Sequence, residues 1–451
     1  MAEGLPAELA GPAGSAGPVA EERLTLEAEL RHWSAAVRAL AELDAFASPA
    51  AWAQLESYVG QSIRSSLTGT VSRLTGQADR VALELAAATT AGQLARARRG
   101  LLALRARYVR VETVVAFFAD AVATRSSSRL GATLRGLDAL AVDSMERVLR
   151  PLGIDVPPVL TYLDKGLGAS ILRSGARLWD ASLSPVAAIK VTHHNLVQPT
   201  SLVHETGHQV AHLTGWDTEL AGAMHDLLAP RAPEAAAKWR DWASEVAADV
   251  YAFSLLGYAP LPALATVLDG STPAVFRMLT ADPHPFGWIR LQFNVALCRS
   301  WLGRGPWDRM ARVWARRHPL ERGDPEAVLV ARQSLPYLGE LADLCTRAPM
   351  RAFGGRPLSA LADPRRAGPV ALQALARQAG PALYTSSYLQ RLEPLRILAW
   401  TVLRAGTAET GPGGAAGPVG PAGAARSAEA GGSLDVEAWL RRLGGERSPA
   451  A

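Results

Sequence analysis

The run Ser201-Leu-Val-His-Glu-Thr-Gly-His208 is the most constraining feature of this chain. On an α-helix, positions i and i+4 lie one turn apart on the same face, so His204 and His208 can reach one metal ion. Glu205, directly after the first histidine, is then placed to hold and deprotonate a water activated by that ion. The neighbouring residues favour a helix here. Pro199 suits a first turn, Thr200 or Gln198 can satisfy its free N–H groups, and Gly215 is a natural stop. Leu202, Val203, Val210, Ala211 and Leu213 supply the apolar faces. Upstream, residues 185–192 are apolar and β-branched and read as a strand. Such a strand beside the helix would offer an extended peptide an edge to pair with.

Two histidines leave a zinc ion short of ligands, so a third protein donor is expected. Glu245 is the best candidate, in the run Trp242-Ala-Ser-Glu-Val-Ala-Ala-Asp-Val-Tyr-Ala-Phe253. Pro233 can start this helix and Gly257 can end it. Glu245 and Asp249 are again i and i+4, two carboxylates within a strongly apolar helix. Burying them without partners would cost several kcal/mol, so they should face something cationic. A metal ion would satisfy Glu245, and Asp249 can accept a hydrogen bond from the outer nitrogen of a ligand histidine.

His204-Glu-Thr-Gly-His208 followed by Glu245-Val-Ala-Ala-Asp249 resembles the gluzincin metallopeptidases, with their HExxH motif and a later ExxxD helix. The resemblance implies that His204, His208 and Glu245 bind one zinc ion, that Glu205 is the general base, and that Asp249 supports a ligand. The interval between the two motifs is longer than in the best-known thermolysin-like members, and a helix inserted from Asp217 to about Ala229 accounts for the excess. Asp282-Pro-His-Pro-Phe-Gly-Trp-Ile-Arg290 looks like the HP-four-residues-R element of some membrane-linked gluzincins. By that likeness His284 is a catalytic donor to the developing oxyanion and Arg290 binds substrate or orders the site. The plain alternative is a proline-framed turn followed by a solvated helix.

Other candidates are weaker. His212, two turns beyond His204, is about 12 Å up the helix axis and cannot share its ion, so it reads as a packing or supporting residue. Thr214 stands where a metzincin would need its third histidine. His225 reads as structural, and His193 and His194 as a solvated loop pair. Tyr258, in a loop after Gly257, is a candidate substrate contact, whereas Tyr251 is expected to pack. Cys298 and Cys345 read as two buried thiols.

Nearly all the positive charge is arginine, since only Lys165, Lys190 and Lys238 are lysines. The net charge of +5 therefore reflects composition and does not indicate a nucleic-acid partner. The densest basic run, residues 96–110, alternates with apolar residues as a solvated helix face does. The apolar patch at 114–123 contains Asp120 and is too short to cross a bilayer. With no signal-peptide pattern at the start, the expectation is a soluble cytoplasmic protein without a membrane partner.

The expected organisation is a disordered N-terminus (1–21), a helical region (22–150), a zincin-like catalytic domain (151–345) and a helical C-terminal region (346–406). A Gly/Ala/Pro-rich linker (407–433) and a short terminal helix with a tail (434–451) complete it. The expected class is mainly α (α+β), with a small β-sheet beside the HExxH helix. The expected activity is zinc-dependent peptide hydrolysis, with one Zn2+ per chain and a peptide or unfolded segment as substrate. A zinc hydrolase of a non-peptide amide and a catalytically silent zincin-fold binding protein remain open alternatives.

Overall fold

Hydrophobic residues recurring every three or four positions make this chain mainly helical, with one three-stranded sheet among the described residues. The computed structural model describes residues 17–166, 168–279, 282–405 and 436–446. The expected linker at 407–433 lies outside them. These residues form two compact units, one up to residue 123 together with 175–185, the other holding the remainder. No helix among the described residues is long and apolar enough to cross a membrane.

The first unit is built from α1 (Pro18–Ala41), α2 (Pro49–Val59), α3 (Ile63–Ala86) and most of α4 (Ala91–Arg125). Residues 18–21, expected to be disordered, form the first turn of α1. α1 packs on α3 through Leu26, Leu30, Val37 and Leu40, all on one stripe. α2 starts at a Ser48 cap, whose hydroxyl accepts a hydrogen bond from the Ala51 N–H.

The second unit opens with α5 (Ser128–Leu149), capped by Ser127. Three strands follow: β1 (Val159–Leu163), β2 (Ser170–Leu172) and β3 (Ala187–Val191). Their order is β1-β3-β2, with β1 parallel and β2 antiparallel to β3. The strand expected to offer a peptide its edge is β3, and the structure corrects that expectation. It is paired on both sides, so the outer strands are β1 and β2. β1 is fastened to α5 by Asp138, which accepts from the Thr161 N–H at 2.7 Å and from Arg125 at 2.6 Å.

α6 (Ser201–Thr214) carries the HExxH motif and ends at Gly215, whose φ of 70° is left-handed. Its N-cap is Thr200, but no side chain caps it, contrary to expectation. α7 (Trp216–Leu228) and α8 (Pro233–Asp241) fill the long interval before α9 (Ala243–Leu256). Pro233 therefore starts α8, not the Glu245 helix, because the chain breaks at Trp242 with φ −88° and ψ 2°. Then come α10 (Pro260–Leu268), α11 (Thr272–Val275), α12 (Gly287–Leu302), α13 (Pro306–Arg317) and α14 (Pro325–Ser334). The main run closes with α15 (Leu338–Arg347), α16 (Leu358–Leu361), α17 (Pro369–Ala379), α18 (Ser387–Leu392) and α19 (Pro394–Ala405). The last described element, α20 (Val436–Glu446), docks on α5 and buries Val436, Trp439, Leu440 and Leu443.

What positions the site is the crossing of α6 and α9. A Cβ at Gly207 would lie 2.9 Å from the Ala248 Cα and 3.0 Å from the Tyr251 Cβ. Only glycine lets the two backbones approach this closely. Tyr251 is buried beneath the crossing, as expected, and donates to the Ser144 carbonyl on α5 at 2.6 Å.

Candidate metal centre

The crossing brings the His204, His208 and Glu245 side chains together, with one donor atom of each within 4.8 Å of the others. His204 Nε2 lies 3.4 Å from Glu245 Oε2, and His208 Nε2 lies 3.2 Å from Oε1. A tetrahedral ion with bonds of about 2.0–2.1 Å sets its donors about 3.3 Å apart. The side chains present therefore fit a metal ion. The outer nitrogens are engaged as well. His204 Nδ1 is 2.9 Å from Asp249 Oδ1, and His208 Nδ1 is 3.2 Å from Ser244 Oγ. Both contacts turn the rings so that Nε2 faces the common point.

Behind the donors lies a buried network from α9 and α12. Arg290 donates to Asp249 through Nε and Nη2, both at 2.8 Å, and reaches Glu245 Oε2 at 3.1 Å. Asn294, one turn later, donates to Asp249 Oδ2 at 3.1 Å and to the Arg290 carbonyl. The Arg290 guanidinium is thus engaged by two carboxylates, and the residue also lines the cavity described below.

The electrostatics follow from these partners. Burial alone would lower the His204 pKa, but hydrogen bonds with Asp249 and Glu245 outweigh it and raise it to about 10 in the metal-free protein. For Glu245 burial acts upward, yet the two histidines and Arg290 hold the carboxylate far below its usual range. Asp249 behaves likewise, held down chiefly by Arg290. Glu205 differs. Burial dominates there and raises its pKa, against the weaker pull of the two histidines.

His284 sits at the open side of this group. It is about half exposed, with Nδ1 2.6 Å from Asp282 Oδ1 and Nε2 3.4 Å from Glu245 Oε1. His204, Glu205, Glu245 and His284 all line one cavity of about 280 Å³.

Several sequence candidates lie elsewhere. Tyr258 packs its ring against Trp307, centroids 5.3 Å apart, and lines a separate cavity with Val370 and Trp400. Its expected substrate contact is therefore withdrawn. His212 is exposed, so it neither packs nor supports a ligand. His225 lies beside Asp226 on α7, and His193 and His194 are exposed in a short 3-10 turn. Cys298 and Cys345 are free and buried, and burial pushes both thiols up. Ser244 and Asn294 escaped sequence reading. Each had one signal, adjacency to Glu245 for the first and helical i+4 spacing from Arg290 for the second.

Comparison of the chain with protein-family models, with curated proteins and with solved structures gives no match.

Proposed function

We propose that this chain is a zinc-dependent metallopeptidase with a gluzincin-like, zincin-type core. One observation carries the reading. The Nε2 atoms of His204 and His208 lie 3.4 and 3.2 Å from the two oxygens of the Glu245 carboxylate, with one donor of each residue within 4.8 Å of the others, in a cavity that Glu205 also lines. His₂Glu with an open position suits zinc among the common metals, and the ion when bound would supply Lewis acidity, drawing the pKa of water toward neutrality.

The remaining steps fall to the chain's own residues. Glu205, its proton affinity raised by burial, takes a proton from the attacking water and passes it to the leaving amine. His284, oriented by Asp282, donates to the oxygen of the substrate carbonyl as negative charge develops there. Arg290 and Asn294 clamp Asp249, which in turn holds the His204 ring in register. A binding site that does no chemistry has no use for a buried carboxylate beside its donors, so Glu205 favours an enzyme over a silent binding protein.

The test is a comparison of wild type with Glu205→Gln, both supplied with zinc. The proposal expects the wild type to cleave peptides and the variant to bind the metal equally without turnover. Equal cleavage by both proteins would refute it.

A further inference from the structure

α10 is one of the most apolar stretches of the second unit, yet Leu261 is its only buried residue. Its side chains at 260, 263, 264, 267 and 268 fall at i, i+3, i+4, i+7 and i+8, a single helical stripe of Pro260, Ala263, Leu264, Val267 and Leu268. Every one of these five lines the cavity that holds His204, Glu205 and Glu245. Val267 is 46% exposed. An amphipathic helix normally turns its apolar stripe into the core, whereas this one turns it toward the reacting groups. Ala252 and Pro285 extend the same wall, and none of the seven carries a charge. The other face of α10, with Pro262, Ala265, Thr266 and Asp269, lines a different cavity.

We propose that this stripe is the specificity wall of the site, and that the substrate is a flexible polypeptide segment with large apolar side chains at alternate positions beside the scissile bond. The spacing is the reason for alternate positions. The Ala263/Leu264 and Val267/Leu268 pairs are one turn apart, about 6 Å along the helix. Alternate residues of an extended chain point the same way and lie about 6.6 Å apart. A segment lying along α10 therefore puts one side chain over each pair. The volume of about 280 Å³ is at the small end for ligand pockets, which run from about 300 Å³, and suits a short stretch of chain. An acidic side chain pressed against these seven uncharged residues would lose its hydration. This proposal rests on the peptide-hydrolysis reading for the reaction, but not for the binding.

The experiment uses fluorescein-labelled octapeptides of a Ser/Gly frame with Leu, Lys or Asp at two alternate central positions. Binding is read by fluorescence anisotropy to full-length Glu205→Gln supplied with zinc, so that turnover does not intervene. The Leu peptide should bind at least about tenfold more tightly than the Asp peptide. Val267→Lys, added to the same protein and checked for unchanged circular dichroism, should reduce that preference or reverse it. Equal binding of Leu and Asp peptides, binding of none, or a preference untouched by Val267→Lys in a folded protein would overturn the proposal. Wild-type cleavage assays separate the two claims. Selective binding without any cleavage keeps the wall and removes the peptidase reading, whereas cleavage indifferent to the side chain removes the wall alone.

Discussion

α9 and α10 are neighbours in sequence and both are strongly apolar, but they spend that character in opposite ways. α9 buries every residue from Ala243 to Leu256 except Ser244, and accepts two carboxylates into its packed surface because Arg290, Asn294 and the histidines meet them. α10 buries Leu261 alone and leaves its stripe on a cavity. Composition cannot distinguish two such helices. Partners do: a helix surrounded by packed elements becomes core, and one whose stripe meets a cavity becomes a wall for something else. The contrast implies that α9 substitutions act on stability and metal affinity together, while α10 substitutions act on ligand selection.

The most severe break falls on the buried ions. Asp249→Ala would leave the Arg290 guanidinium buried without its main partner, a change that typically costs about 3–5 kcal/mol. Urea unfolding should show that loss, and a cost below about 1 kcal/mol would mean that the network carries little. Leu256→Ala, at a fully buried position on α9, should cost about 2–5 kcal/mol by the same measurement. Gly207→Ala sits at the helix crossing, where the new methyl would meet Ala248 and Tyr251. Overpacking of this kind costs about 1–3 kcal/mol, and metal affinity should fall with it because His208 and Glu245 are pushed apart. Isothermal titration with zinc would detect the weaker binding. The smallest effect belongs to α10. Val267→Ser should change unfolding stability by no more than about 0.5 kcal/mol. A large loss at this position would erase the distinction between the two helices.

Much of this arrangement is legible in local sequence, because it depends on helical spacing. His204 and His208, like Glu245 and Asp249, share a face by virtue of a four-residue step. Their helices end at Gly215 and Gly257 as the sequence suggests. β3 lies within the apolar, β-branched run at 185–192 that reads as a strand. What local pattern does not encode is which strand lies in the middle, and so β3 was expected at an edge. Tyr258 was misplaced for a similar reason, since Trp307, Val370 and Trp400 set its surroundings from far along the chain. The break at Trp242 was hidden because no proline or glycine marks it between Pro233 and Gly257. Arg290 was legible as a site residue, but its partners were not, because the contact with Asp249 depends on how α12 packs against α9.

Elemental mass spectrometry on purified wild type beside Glu245→Ala reads the donor set itself. About one zinc per wild-type chain is expected, and its loss in the variant, with circular dichroism confirming that the variant is folded. A wild type that takes up no metal when zinc is supplied, or a folded Glu245→Ala protein that retains it fully, would contradict the account.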